Sequence, residues 1–366
     1  MVSLVDVQTE TGPPRAGTAG LLTVALVVPL QGPAGIFGPS CELCAVLAAE
    51  EVNRERGVLG REVRLVVVDG GAAPGRVADE VDALVSDGLV EAVTGWHISA
   101  VREVLAPRIA GRVPYIYTPL YEGGERAPWV FLTGETPKRQ LRPALRWFTA
   151  EAGVRRWAIV GDDYVWPRRS ARAIRSYLDE LGGELCAEFF VGLGTQDFGD
   201  VLARLAGLRC DGVLMLLVGD DAVAFNRAFA RAGLDREQIR FSPLMDENML
   251  LATGADNTRG LFAAAGYFET LPTTDNLDFS ARYHGRFGAD APILNSLGES
   301  CYEGMRLFTE LARRAGSLDV RRMRTMSDGL GYDGPRGPVE MRDRHLAQRV
   351  FLAAADGLEF DVIQRL

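Results

Sequence analysis

Short apolar runs rich in valine and isoleucine recur along this chain and constrain its fold more than any other feature. Thr23–Pro29 reads TVALVVP and Arg61–Asp69 reads REVRLVVVD, and similar runs follow at Val90–Gly95 and Pro114–Pro119. Runs of this kind are typical of strands that are buried on both faces of a parallel sheet. Stretches with helical character separate them, so the sequence predicts right-handed βαβ units and the α/β fold class.

The pattern restarts in the second half of the chain, where predicted helices alternate with apolar runs such as Trp157–Val160 and Glu184–Val191. The segment Gly260–Phe268 leads back to the first region, a helix is predicted at 297–315, and a hairpin pattern spans 339–364. The chain therefore divides into an N-terminal extension and two α/β lobes. We assign 1–20 to the extension, 21–136 and 267–343 to lobe 1, and 137–266 and 344–366 to lobe 2.

Composition excludes several classes of function. Acidic residues outnumber basic ones by 49 to 40, for a formal charge of -9, which disfavours direct binding to nucleic acid. Cys41 and Cys44 have CxxC spacing but lie in an apolar helical stretch, so we interpret them as buried packing residues. No HExxH or GxSxG motif is present, and the loop Gln31–Gly35 matches no nucleotide fingerprint. We therefore expect no metal, no cofactor and no enzymatic activity.

The amino-terminal sequence bears on location. Met1–Gly20 is polar and lacks the features of a secretory signal. Leu21–Leu30 is apolar but too short to span a membrane. We expect a soluble, cytoplasmic protein that does not insert into a membrane. The alternative is an exported protein from which the signal sequence has been removed.

The segment Trp157–Arg168 reads WAIVGDDYVWPR and is the strongest indication of a binding site. An apolar run ends in two carboxylates and is followed by Tyr164 and Trp166. Because loops at the carboxyl ends of strands bind ligands in α/β sheets, the two rings are interpreted as one wall of a small-molecule pocket. A turn whose rings only cover the core is the alternative.

Two loops in the first half have the same character. Ser99 stands at a predicted helix start, where its hydroxyl either binds a ligand oxygen or simply caps the helix. Tyrosines at a strand end suit a neutral polar ligand with an apolar flank, whereas a rigid, packed turn is the alternative. The candidate residues of these loops are His97, Ser99, Tyr117, Thr118, Pro119 and Tyr121.

Two further candidates follow strands in the second half. Asp220 lies at a helix start, where capping is the alternative to ligand contact. Asn248 belongs to an Asp-Glu-Asn segment that either contacts a ligand or forms a solvated turn.

From about Leu22 onward the chain resembles the type I periplasmic binding proteins, in the branch of amide, urea and branched-chain amino-acid binders. The resemblance rests on GWHIS, on GDDYVWPR and on YEGGERAPWVF (Tyr121–Phe131). Within this branch the chain is most similar to cytosolic amide sensors that regulate amidase and nitrile hydratase operons. His97, Trp166 and the Thr118–Leu120 segment depart from the sensor pattern, which puts acetamide itself in doubt as the ligand.

The resemblance implies two Rossmann-like lobes with parallel sheets, joined by three crossovers that form a hinge. It implies that Ser99, Tyr117, Tyr164 and Trp166 contact a short amide, urea or amino-acid-like ligand between the lobes. Lobe closure would then signal to a partner, which in the amide sensors is an RNA-binding antiterminator. The alternative is the solute-binding component of an ABC transporter, with a permease as partner. The resemblance also implies a homo-oligomer.

Overall fold

The structure is a computed structural model that describes residues 3–5 and 20–366. The predicted N-terminal extension therefore lies largely outside the described residues. The strands are β1 Ser3–Val5, β2 Leu21–Val28, β3 Glu62–Asp69, β4 Ala92–Gly95, β5 Tyr115–Tyr117, β6 Val130–Leu132, β7 Arg156–Asp162, β8 Glu184–Val191, β9 Gly212–Leu216, β10 Ile239–Ser242, β11 Leu261–Ala265, β12 Gly331–Gly334, β13 Gly337–Arg342, β14 His345–Ala347, β15 Phe351–Asp356 and β16 Glu359–Arg365.

The helices lie between these strands and pack on their faces. They are α1 Gly38–Arg54, α2 Pro74–Ser86, α3 Ser99–Arg108, α4 Leu141–Glu151, α5 Val165–Leu181, α6 Gly199–Ala206, α7 Asp220–Arg231, α8 Glu247–Thr253, α9 Thr274–Phe287, α10 Ser296–Ala315 and α11 Val320–Ser327.

The strands form two sheets, one in each lobe. The first has the order β1-β3-β2-β4-β5-β6-β14-β13-β12, and the second has the order β16-β15-β11-β10-β9-β7-β8. The strands from β2 to β6 are parallel, as are those from β7 to β11. The edges are antiparallel, since β1 pairs with β3, and β15 and β16 pair beside β11. The predicted fold class is confirmed: two α/β lobes with mostly parallel sheets.

Burial explains why the apolar runs form strands. All residues of β2 from Val24 to Val28 are fully buried, because helices cover both faces of the sheet. One buried apolar cluster runs through both lobes and includes Leu26 and Phe37 from the first lobe and Val218 and Phe225 from the second. The lobes are therefore packed against each other.

Several local expectations are corrected. The predicted final hairpin is divided between the lobes, because β14 pairs with β13 in the first sheet whereas β15 pairs with β11 in the second. We therefore propose a lobe boundary after Ala347.

Ser99 is the first residue of α3 and does not cap it: the capping position is Ile98, and the Ser99 hydroxyl donates to Glu122 instead. Trp166 lies in the first turn of α5 and not in a loop.

The chain passes between the lobes three times, through residues 133–140, 266–273 and 348–350. A buried cluster around Arg336 connects the three crossings. Arg336 Nε donates to Glu299 Oε2 at 2.6 Å, and its Nη1 donates to Gln348 Oε1 at 2.7 Å. The same Nη1 lies 3.5 Å from Glu135 Oε1, which accepts the Gly266 N–H at 2.8 Å. One guanidinium thus links groups from all three crossings to α10.

Replacing Arg336 by methionine should therefore lower the free energy of unfolding by about 3–5 kcal/mol, because it leaves buried carboxyl groups without their cation. Arg342→Met is the matched control. Arg342 pairs with Glu340 on the same sheet, but the two side chains are 66% and 46% exposed, so its loss should destabilise the protein much less than the loss of Arg336. Chemical denaturation of both variants measures the difference. Equal destabilisation would contradict the role of the Arg336 cluster.

Candidate ligand-binding site

The carboxyl ends of the parallel strands in the two lobes face each other, and the lobes touch along one rim. The segment Pro33–Phe37, a short 3-10 helix after β2, lies against Gly219 at the start of α7. A Cβ atom on Gly219 would lie 1.9 Å from the Pro33 carbonyl oxygen, and its φ is +51°. Glycine is therefore required for this approach. Beside it, Asn248 Nδ2 donates to Ser40 Oγ at 3.3 Å.

A second contact joins helices α3 and α5. Arg169 of α5 places Nη1 2.8 Å from Glu103 Oε1 and 3.4 Å from Glu122 Oε1. Since Glu103 and Glu122 belong to the first lobe, this pair of ion contacts closes the other rim. The structure is thus a closed form in which both rims are in contact.

A buried polar network forms the floor of the first lobe between these rims. The Ser99 hydroxyl donates to Glu122 Oε2 at 2.7 Å, and Arg102 Nη2 donates to Glu122 Oε1 at 2.6 Å. Arg102 Nε also lies 2.9 Å from Glu125 Oε2. The network follows from α3, which brings Ser99 and Arg102 onto one helix face at i and i+3.

Aromatic rings enclose this network. The Arg102 guanidinium lies 5.0 Å from the ring centres of both Tyr117 and Tyr121, a distance at which cation–π attraction is effective. The Tyr117 hydroxyl donates to the carbonyl of His97 at 3.0 Å. Burial raises the pKa of Tyr121 to about 12 and raises that of Tyr117 further. Both hydroxyls therefore stay protonated and act as hydrogen-bonding groups.

Three predicted site residues lie inside the first lobe. His97 Nε2 contacts the Tyr115 hydroxyl at 2.6 Å, and burial lowers the pKa of His97 to about 3, so the ring is neutral at physiological pH. Thr118 accepts a hydrogen bond from Ser300 Oγ at 3.3 Å and thus faces α10. Pro119 is also buried next to Gly134. These contacts are internal to the lobe.

The second lobe contributes a pair of buried carboxyl groups. Asp162, the last residue of β7, accepts the Val218 N–H at 2.8 Å, and Asp221 of α7 accepts the Gly194 N–H at 2.6 Å. Burial and the neighbouring Asp221 carboxylate raise the pKa of Asp162 to about 9. Two carboxyl groups this close share one proton. The pair therefore carries a single negative charge near neutral pH.

Tyr164 connects this pair to the first lobe. Burial raises the pKa of its hydroxyl well above the ordinary value, and the nearby Asp162, Tyr117, Glu122 and Asp221 raise it further. Tyr164 thus lies between polar groups of the two lobes. Trp166 is buried behind it, with the ring centres 6.2 Å apart.

The structure therefore brings Ser99, Tyr117 and Tyr121 together in the first lobe, and Tyr164 approaches them from the second lobe. Asp220 and Asn248 lie apart from them, on the rim formed by Pro33–Phe37. Asp220 is exposed in the first turn of α7. The ligand-binding role of all these residues stays a prediction.

The predicted site residues did not include Arg102, Glu122, Asp221 or Arg169, although Glu122 and Asp221 stand next to the predicted Tyr121 and Asp220. A charged residue at position 102, one helical turn after Ser99 on an otherwise buried face, was a usable signal. Glu122 stands inside the YEGGERAPWVF segment. Asp221 pairs with Asp162 across 59 positions of sequence, and nothing local indicates this contact.

Grooves also occur elsewhere on the surface. One of about 500 Å³ lies on the outer face of the first lobe and includes Tyr302, Arg282 and Asp278. Another of about 740 Å³ lies beside the hinge, near Tyr332 and Arg365. Neither contains a residue predicted for the site.

In the part of the chain that the structure describes, no helix is long and apolar enough to cross a membrane.

Comparisons with known proteins show the family. Residues 22–358 match the family described as periplasmic binding protein. The Leu/Ile/Val-binding protein homolog 6 of Brucella suis biovar 1 (strain 1330) is 24% identical over 349 residues, which cover 92% of this chain and 88% of that protein. The chain belongs to the periplasmic binding protein family.

Solved structures share the fold. A solute-binding protein of an ABC transporter from Rhodopseudomonas palustris BisB5, in complex with 3,4-dihydroxybenzoic acid, superposes with a TM-score of 0.83 at 23% identity, covering 94% of this chain and 97% of that one. A branched-chain amino acid transporter substrate-binding protein from Streptococcus pneumoniae, in complex with isoleucine, gives 0.81 at 16% identity, covering 94% and 98%.

The comparisons support only part of the resemblance stated from sequence. Type I periplasmic binding proteins are confirmed as the family, whereas a particular closeness to amide-sensing regulators is not. The proteins named here are binding proteins, two of them from transporters, and none is described as a regulator.

The carboxyl pair in the second lobe predicts a dependence of stability on pH. The pKa of Asp162 is about 9 in the folded protein, against an ordinary value of 3.8. The folded protein thus keeps a proton that the unfolded chain releases above pH 4. The stability that Asp162 contributes is fully present below pH 4 and is lost as the pH rises towards 9.

Asp162→Asn should remove this dependence. Between pH 5 and pH 8, wild type should lose stability relative to the variant by up to about 1.4 kcal/mol per pH unit. Asp163→Asn is the control, because Arg168 lowers the pKa of that exposed carboxyl group and no slope is expected in this range. Denaturation at several pH values measures the slopes. A difference between wild type and Asp162→Asn that does not change with pH would contradict the shared proton.

Proposed function

We propose that this member of the periplasmic binding protein family is the solute-binding component of an ABC transporter and holds a small polar solute between its lobes. The observation that carries the proposal is that the lobes meet at the carboxyl ends of their strands, where Gly219 lies against Pro33 and Arg169 pairs with Glu103. Tyr117 ends β5 and Tyr164 follows β7, one on each side of this interface. Aromatic walls with a few convergent polar groups are the usual composition of a small-ligand site. Closure around the solute follows the hinge mechanism of two-lobed proteins.

The chemistry of the facing groups suits a solute with N–H groups. Asp162 and Asp221 supply carboxyl oxygens on the second lobe. Trp96, at the carboxyl end of β4, has a buried indole N–H that finds no acceptor among the described residues. A ligand that donates to a carboxylate and accepts through a carbonyl oxygen would satisfy both sides. Short amides, urea and amino-acid-like solutes fit this description.

The transport role is preferred to the regulatory role expected from sequence. Relatives that cover most of the chain are named for branched-chain amino acid binding, and the structural neighbours bind isoleucine or an aromatic acid. We therefore propose an ABC permease as partner and a location outside the cytoplasmic membrane. The antiterminator, the homo-oligomer and the cytoplasmic location stay predictions without support from these relatives.

The geometry supports binding without turnover. The Ser99 hydroxyl donates to a carboxylate and not to an imidazole, and His97 contacts Tyr115 and the Val27 carbonyl. Neither residue is therefore arranged as an activated nucleophile and its base. The facing groups hold a solute and exclude water from it.

A thermal-shift experiment tests the proposed function. Purified protein is heated with short aliphatic amides, urea, branched-chain amino acids and hydroxybenzoates, each over a range of concentrations. A true ligand at 100 times its Kd should stabilise the folded protein by about 2.7 kcal/mol. Absence of stabilisation by every solute would contradict solute binding.

Two glycine variants test whether binding requires closure. Gly219→Ala should weaken binding of the solute at least tenfold, since the added Cβ overlaps the Pro33 carbonyl and holds the rim open. Gly194→Ala is the matched control: its φ is also positive, at +95°, but its Cβ would lie 3.8 Å from Pro33 Cγ, an ordinary contact. Equal affinities of the two variants, measured by calorimetry, would contradict closure as the binding step.

A further inference from the structure

We infer that Glu122 is an internal carboxylate that occupies the anion-binding groups of the first lobe, so that the solute is a neutral or cationic molecule without a carboxylate of its own. This inference rests on the proposed function and narrows its ligand class. Glu122 thereby determines specificity, because the protein itself supplies the carboxylate that binds these groups and the solute does not.

The geometry shows that Glu122 uses both of its oxygens. Oε2 accepts from the Ser99 hydroxyl at 2.7 Å, and Oε1 accepts from Arg102 Nη2 at 2.6 Å. The Glu122 side chain is 0% exposed and that of Arg102 is 2% exposed. A hydroxyl at a helix start and a guanidinium one turn later would otherwise suit a ligand carboxylate. Here these two groups are already satisfied.

Arg102 has no free charge to offer a second anion. Its Nε lies 2.9 Å from Glu125 Oε2, so one buried guanidinium faces two carboxylates. Tyr117 and Tyr121 lie 5.0 Å from the guanidinium carbon. Little space beside the cation therefore remains for a ligand oxygen.

The remaining charges also disfavour an anionic solute. Arg169, the cation that approaches from the second lobe, is shared between Glu103 and Glu122. The Asp162–Asp221 pair adds a negative charge in the second lobe, near Tyr164. The two guanidinium groups are thus outnumbered by carboxylates, and like charges brought together in a buried site repel strongly.

Glu122 additionally links the two lobes through Arg169. A carboxylate bound at this point would connect the first lobe to a cation of the second and so favour closure. Because Glu122 already makes that connection, a neutral solute can be enclosed without contributing a charge.

The test uses pairs of solutes that differ only in the carboxyl function: isobutyramide and isobutyrate, benzamide and benzoate, leucinamide and leucine. Affinities are measured by calorimetry for wild type, Glu122→Gln and Glu103→Gln. For whichever of these pairs binds, wild type should bind the amide at least tenfold more tightly than the acid. Glu122→Gln, which keeps the shape but removes the charge, should reduce this preference at least tenfold.

Glu103→Gln is the matched control, because it also removes a carboxylate that pairs with Arg169 but does not contact Ser99 or Arg102. It should keep the wild-type preference. If Glu122→Gln does not fold, a wild-type preference for the acid overturns the inference, and a wild-type preference for the amide supports the ligand class that it assigns.

A wild-type protein that binds the acid as tightly as the amide would overturn the role of Glu122 and leave solute binding intact. Equal shifts of preference in the Glu122 and Glu103 variants would also overturn it, since general loss of negative charge would then explain both. Failure of every solute to bind any of the three proteins would overturn the proposed function and this inference together.

Discussion

The position of the two lobes depends on one buried guanidinium. Each lobe is built from separate segments of the chain, so the cleft exists only if the three crossings keep a defined relation to one another. Arg336 contacts Glu299, Glu135 and Gln348, and Glu135 in turn accepts from Gly266. A buried ion cluster is expensive to break, and at this place it keeps the three crossings together.

The consequence of that arrangement is a pair of facing sheet edges. Parallel sheets end their strands at the same edge, and the hinge turns those two edges towards each other. The close approach of Gly219 to Pro33 on one rim and the Arg169 contacts on the other limit how far the lobes can close. The groups between these edges are polar and buried. Such an arrangement lowers stability and is therefore expected where a function requires it. Ser99, Glu122, Tyr164 and Asp162 fit that description.

Much of the fold could be predicted from sequence because its signals are local. β8 was predicted with the same bounds as observed, and β2, β3 and α10 lie within two residues of the predicted bounds, since an apolar run or a helical pattern in the local sequence marks each of them. The strands near the hinge were less predictable. β6 is only three residues long, and β14 joins the first sheet by pairing with β6, which lies far away in the sequence.

Of the candidate site, the sequence pattern indicated Ser99 and the aromatic residues. Tyr117 and Tyr164 stand at strand ends, which the local pattern reveals. Glu122 and Asp221 act through partners 23 and 59 positions away, and such contacts appear only when the chain is folded. Trp166 was interpreted as part of a loop, whereas it lies in the first turn of α5, where Pro167 is well tolerated.

The most direct test of this account is a crystal structure of the protein with the tightest-binding solute. The account predicts the solute between the lobes, in contact with Tyr164 and with the Ser99–Tyr117 edge of the first lobe, and with both rims closed over it. A solute bound instead in the outer groove beside Tyr302, with the cleft between the lobes unoccupied, would contradict it.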